Sequence, residues 1–141
     1  MIRVLLFQNM HGDTRLSKWY INYSLAERRK IEKEIYQIVI RRQKKWSNAI
    51  EYNGYKLVYR QYAGLIICAC IDPNENPLAI FEMIHLFVEI MDLHFGDVCE
   101  LDIVYNFIQV HALLDEFILA GSLAETCKNE VVARAKKNEK L

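Results

Sequence analysis

The stretch Asn48-Ala49-Ile50-Glu51-Tyr52-Asn53-Gly54-Tyr55-Lys56-Leu57-Val58-Tyr59-Arg60-Gln61-Tyr62-Ala63-Gly64-Leu65-Ile66-Ile67-Cys68-Ala69-Cys70-Ile71 holds the clearest structural signals in the chain. Both residues of Asn53-Gly54 accept the positive φ that a type I′ hairpin turn requires. The pair therefore joins a strand over 48–52 to one over 55–62. Gly64 permits a second tight reversal, and Leu65 to Ile71 is uncharged, short and β-rich, as a central strand should be. Three consecutive antiparallel strands are predicted.

On the amino-terminal side, Met1 to Asn9 is apolar enough for a strand buried on both faces, and His11-Gly12-Asp13 supplies turn chemistry before a second strand over 14–20. Ser24 and Glu27 have the spacing of a capping box. After them Ile31, Ile35, Ile38 and Val39 recur at helical intervals with basic residues on the remaining surface, which predicts a first helix from Leu25 to Arg42. On the carboxyl side, Asn76 suits an N-cap and Pro77 the first helical position, where its missing N–H had no partner. The second helix runs to Phe95 and Gly96 closes it. Asp97 and Glu100 repeat the capping spacing for a third helical stretch that bends near Asn106 and ends before Gly121. Ser122 and Glu125 open a last helix whose basic end, about 127–141, frays. The order is ββαβββααα. It defines an α+β fold with a five-stranded antiparallel sheet and helices on both faces.

The 141 residues suit a single domain, 1–141, that needs no disulfide or metal staple. No apolar run approaches the ~20 residues of a membrane span, and no secretory signal is evident, so a cytoplasmic chain is expected. The 18 basic and 18 acidic residues cancel, but residues 1–60 carry 13 basic and 5 acidic groups while 61–141 carry 5 and 13. Either the two halves neutralise each other on folding, or the basic half faces an acidic partner, peptide or membrane.

Chemical motifs are sparse. Cys68 and Cys70 share one face of a strand but lack the second pair that would make a zinc site, and no metal is expected. The four cysteines read as small, buried apolar groups. His85 with Cys99 and Glu100 invites a hydrolase reading, yet no nucleophile elbow or glycine-rich oxyanion loop accompanies them; a buried, hydrogen-bonded histidine is the plainer expectation. There is no phosphate loop or dinucleotide fingerprint, hence no expected cofactor. Tyr55, Lys56, Tyr59, Arg60 and Tyr62 mix aromatic and basic groups on one strand, but the acidic second half argues against nucleic acid.

Several longer strings identify a relationship: Thr14-Arg15-Leu16-Ser17-Lys18-Trp19-Tyr20, Leu57-Val58-Tyr59-Arg60-Gln61-Tyr62-Ala63-Gly64-Leu65, Ile84-His85-Leu86-Phe87-Val88-Glu89-Ile90, and Phe95-Gly96-Asp97-Val98-Cys99-Glu100-Leu101-Asp102-Ile103-Val104-Tyr105-Asn106-Phe107. In this order, and from Met1 to about Thr126, they resemble the small (sigma) chain of the heterotetrameric clathrin-adaptor complexes. The resemblance implies a longin-like fold and a non-enzymatic role in vesicle-mediated protein transport and endocytosis. It implies as partners a large-subunit trunk, a second large subunit, a medium subunit, cargo cytoplasmic tails and, indirectly, clathrin, with peripheral membrane association through the complex. Gln8-Asn9 and Tyr62-Ala63-Gly64-Leu65 resemble the endocytic, plasma-membrane type most. Phe95-Gly96 and Ser17-Lys18-Trp19 also suit the Golgi/endosomal type, and Arg60-Gln61-Tyr62-Ala63 a non-clathrin relative.

Carried over residue by residue, the family's pocket for the acidic dileucine signal, Asp/Glu-x-x-x-Leu-Leu/Ile, falls on Ala63, Leu65, Ile67, Val88, Val98 and Ile103, with Tyr62 and Asp97 at its rim and Arg15 for the signal's acid. The physics is consistent: two leucines need a preformed apolar recess, and each gains about 1.5–3 kcal/mol on full burial. The same residues also suit plain core positions. This chain departs from the endocytic pattern by having Met10 and Asp13 beside Arg15 and an acid, Asp97, in place of a neutral amide, which should relax the requirement for the signal's acid. A free-standing longin-domain regulator of membrane fusion or tethering is the alternative the same fold would allow.

Overall fold

A computed structural model describes residues 2–42, 48–62, 64–96 and 98–119, with residues 118 and 119 as backbone alone. The elements run β1 (Ile2–Asn9), β2 (Thr14–Trp19), α1 (Leu25–Ile40), β3 (Ala49–Tyr52), β4 (Tyr55–Tyr62), β5 (Leu65–Ile71), α2 (Pro77–Phe95), α3 (Glu100–Tyr105) and α4 (Phe107–Leu119). The expected order ββαβββααα is therefore present. The chain divides into two compact units, Met1–Phe81 and Glu82–Leu141.

The first unit is built on one five-stranded sheet of order β2-β1-β5-β4-β3, antiparallel throughout. Its hairpins follow the turn chemistry of the sequence. Asn53 and Gly54 take φ values of 48° and 81°, the left-handed pair of a type I′ turn, and Tyr52 pairs directly with Tyr55. Between β1 and β2 the Asn9 side chain organises the turn: its Oδ1 accepts the backbone N–H groups of His11 and Asp13, each at 2.9 Å. This local substitute for a backbone turn leaves Asn9 buried but satisfied.

Strand alternation separates two apolar faces. Val4, Leu6, Leu57, Tyr59, Ile66, Cys68 and Cys70 form one core cluster with Ile35 and Val39 of α1. Gln8 reaches from this face to the helix, its amide donating to the Glu32 carbonyl at 3.0 Å. The other face carries Leu5, Phe7, Val58, Leu65, Ile67, Ala69 and Ile71, all buried. Ser24 caps α1 by accepting the Glu27 N–H, and the helix ends at Ile40, two residues earlier than expected, with Arg42 N–H turning back to the Val39 carbonyl.

In the second unit, α2 ends as predicted: Gly96 at φ 68° donates its N–H to the Asp92 carbonyl at 2.8 Å. The third helical stretch differs from expectation in two respects. Its N-cap is Cys99 and the helix starts at Glu100, with the Asp102 carboxylate accepting the Cys99 N–H at 2.9 Å; Asp97 of the expected pair lies outside the described residues. The bend near Asn106 is a full break, with Asn106 at φ −119° and ψ 34° ending α3 before α4 restarts the ladder through Val110 N–H to the Asn106 carbonyl. The helix expected from Ser122, with its basic end, lies outside the described residues. Ile103, Val110, Leu113, Leu114 and Phe117 are buried, and the Phe87 and Phe117 rings meet at 5.5 Å. No described helix is long and apolar enough to cross a membrane.

Candidate functional site

In the first unit, the sequence-predicted residues gather at one end of the sheet. Tyr62 and Leu65 are direct register partners across the β4–β5 hairpin, Leu65 also pairs with Asn9, and Ile67 pairs with Arg60 and Phe7. Tyr62, Leu65 and Ile67 point to the face opposite α1 by strand alternation. Leu65 and Ile67 are buried, and Tyr62 is half-buried. Ala63 lies outside the described residues.

Arg15 stands on β2, one residue after Thr14, which pairs with Gln8 where the β1–β2 register shifts. Thr14, Gln8, Ile66 and Gln61 thus form one row across β2, β1, β5 and β4. Arg15 is exposed, and its guanidinium is 3.9 Å from the Asp13 carboxylate, which also accepts from the Asn9 amide at 3.1 Å. The acid expected beside Arg15 is thus in contact with it.

The sequence reading noted Arg60 on its strand but did not assign it to this site. Its guanidinium stacks on Phe81 at 4.1 Å and on Tyr62 at 5.0 Å, a cation held on aromatic faces beside the Tyr62–Leu65 pair. The signal was present in the period-two alternation of β4, which puts residues 60 and 62 on one face. A cavity of about 670 Å³ in the same unit is lined by Val39, Ile40, Ile66, Phe81, Arg42 and Arg60 among others. None of the described residues among those expected for the pocket lines it, and Arg42 within it is tied to the Tyr59 hydroxyl at 2.9 Å.

In the second unit, Val88 on α2 and Ile103 on α3 are buried, whereas Val98, in the link between those helices, is half-exposed. The link is held by Asp92, whose carboxylate accepts the Val98 N–H at 2.9 Å. Asp97 lies outside the described residues.

Two expectations need correction. His85 is part-exposed rather than buried; its Nε2 meets the Glu89 carboxylate one helical turn on, at 2.7 Å. Cys99 is exposed, unlike Cys68 and Cys70, so its side chain is not a core group. The reason is the N-cap position, which lies on the helix end rather than on its buried side. Burial pushes the Cys70 thiol up to about 11 and the Cys68 thiol further in the same direction, so both stay protonated and apolar at neutral pH. Among the described residues, no group of three or more His, Cys, Asp or Glu is placed to hold a metal ion.

This architecture, a sheet end carrying an apolar pair flanked by cations, suits a chain that binds or assembles. Residues 1–141 match the family model for the clathrin adaptor complex small chain. Among curated relatives, the AP-2 complex subunit sigma of Neurospora crassa is 50% identical over 142 residues, covering 100% of this chain and 99% of the relative. That of Dictyostelium discoideum is 49% identical over 134 residues, covering 95% and 94%. Among structures, a chain of a homology model of the full-length AP-3 complex in a stretched open conformation superposes with a TM-score of 0.78 at 26% identity, covering 99% of this chain and 94% of that one.

The chain belongs to the clathrin adaptor complex small-chain family. It is a sigma-type subunit of an adaptor complex serving vesicle transport, with the longin-like fold expected from the sequence. The membership decides against the free-standing regulator.

Proposed function

We propose that the chain, as one longin-like domain over 1–141, is the small subunit of the endocytic adaptor and helps bind acidic dileucine signals on cargo tails. Its partners would be the trunk of one large subunit, a second large subunit and a medium subunit, with clathrin reached indirectly. It would work in the cytoplasm at plasma-membrane coated pits, as a non-enzymatic binding piece. The observation that carries this reading is the half-identity, over nearly the whole of both chains, with relatives named as AP-2 sigma subunits.

Two features of the molecule support it. The α3–α4 segment exposes Leu101, Val104, Tyr105, Phe107 and Ile108, with Tyr105 78% and Ile108 70% exposed, an apolar ridge of the kind an assembled subunit buries. At the sheet end, Arg15 and Leu65 are separated by two strand spacings, roughly 10 Å. In an extended Asp/Glu-x-x-x-Leu segment the acid and the first leucine are four residues, about 13 Å, apart. Both ends of such a peptide could therefore engage Arg15 and the apolar side chains beyond it. The recess would be completed by Ala63, Val88, Val98 and Ile103, with Asp97 at the rim.

Affinity purification of the tagged chain from its own cells tests the assembly. Recovery of two large adaptor chains and a medium chain is expected; recovery of fusion or tethering proteins instead would refute it.

A further inference from the structure

We propose that the outward face of α1 is a docking surface for an anionic lipid bilayer. With 3.6 residues per turn, Arg29, Lys30, Lys33 and Arg41 fall within one arc of about 120°, with Gln37 and Ile40 between them. All six are exposed. No carboxylate falls inside the arc: Glu27 and Glu34 flank one edge, and Glu34 accepts the Tyr52 hydroxyl. Glu32 lies beyond the arc's other edge, about 60° from Arg29, where burial raises its pKa against the Thr14 hydrogen bond and the pull of Arg29 and Arg28.

The helix cannot turn this arc inward. Ile35 and Val39 are buried in the sheet cluster and Ile31 and Tyr36 pack beside them, which fixes the opposite face against the strands. The four cations then form a broad basic face, about 18 Å long from Arg29 to Arg41.

A planar anionic surface is the partner this shape fits. The charges are spread along and across one outward face, so each can meet a different headgroup, while the long side chains extend toward the phosphate plane. Leu25, 65% exposed at the start of the helix, and Ile40, 40% exposed at its end, add apolar contacts on or beside that face. An interfacial helix has this combination of a basic face with apolar residues at its margin. The net charge of the unit has the same sign, since residues 1–81 carry 13 basic against 7 acidic groups. The surface shares no residue with the peptide site, so the inference goes beyond that reading and is tested without it.

The test is co-flotation of the full-length chain with phosphatidylcholine vesicles, with and without about 20% phosphatidylserine, comparing wild type with the combined variant Arg29→Ser, Lys30→Ser, Lys33→Ser, Arg41→Ser. Each cation near the surface contributes about fivefold, so partitioning onto anionic vesicles should fall by more than about a hundredfold, with no change on neutral ones. Exchanging Arg29 and Arg41 for Lys should preserve binding. Should the combined variant not fold, Lys30→Ser with Arg41→Ser is read the same way and should lose about 25-fold. Equal partitioning of wild type and variant onto anionic vesicles overturns the proposal. So does a preference for a polyglutamate peptide over anionic vesicles, which would assign the basic face to an acidic protein.

Discussion

The Arg15 guanidinium lies 3.9 Å from the Asp13 carboxylate, on the strand that would receive the acid of a bound sorting signal. Asp13 is 62% exposed in its side chain and Arg15 35%, so water screens the pair and its net contribution is small. The consequence is competition: a ligand carboxylate must share or displace Asp13.

Asp13→Asn removes the competitor while retaining a polar side chain at the turn. Affinity for a Leu-Leu peptide bearing the upstream acid should rise about two- to fivefold at low salt, in line with an exposed ion pair worth up to about 1 kcal/mol. Calorimetric titration with acid-bearing and acid-lacking peptides checks this. An equal gain for both peptides would detach Asp13 from acid selection.

Val98→Asp separates recess from core. Val98 is half-exposed, and its backbone N–H bond to Asp92 survives the change. Leu-Leu peptide affinity should fall at least about tenfold, because a charge would stand where a leucine loses water. The thermal midpoint should move by only a few degrees. Ile103→Ala, at a fully buried position, should instead cost about 2–5 kcal/mol of stability. Thermal melts alongside peptide titrations distinguish the two.

Gly12→Ala should destabilise the first unit by about 1–3 kcal/mol. Gly12 sits at φ 90°, and an added Cβ would lie 3.0 Å from the Tyr36 ring. That ring is tethered, since the Tyr36 hydroxyl donates to the Met10 carbonyl at 2.7 Å. Urea unfolding measures the loss; an unchanged midpoint would show that the turn can relax.

The Arg3–Asp72 pair sets an acid limb. Arg3 donates to the Asp72 carboxylate at 2.7 Å and holds its pKa below the usual carboxylate value. The stabilisation is therefore complete above the ordinary carboxylate pKa and is lost as pH falls through the lowered folded value. Carboxyl NMR titration should find Asp72 below the usual carboxylate value, and Arg3→Gln should return it toward that value.

Much of this was legible from residues with local consequences. Asn53-Gly54 and Gly64 fixed β4 and β5 to the residue, and Pro77 and Gly96 did the same for α2. At Asn106 a bend was legible but the full break was not, because apolar periodicity runs across it and neither Pro nor Gly marks it. The cap at Cys99 was hidden since cysteine is not among the usual capping residues. Exposure was the least readable property: His85 and Cys99 have residue types that are often buried, and only the finished helices show which side they take. For the peptide site, alternation along β4 and β5 already placed Tyr62, Leu65 and Ile67 together, whereas the contact between Asp13 and Arg15 depends on a turn shaped by the Asn9 side chain. The charge imbalance between the halves carried no geometry until α1 was seen to expose Arg29, Lys30, Lys33 and Arg41 on one face.

The most direct test of the account is the equilibrium binding of an Asp/Glu-x-x-x-Leu-Leu peptide to this chain assembled with its large subunit, against the same peptide with both leucines changed to alanine. Saturable binding that the alanine peptide lacks, and that Arg15→Ser weakens only for acid-bearing peptides, is the predicted result. Equal binding of the two peptides, or none of either, would contradict it.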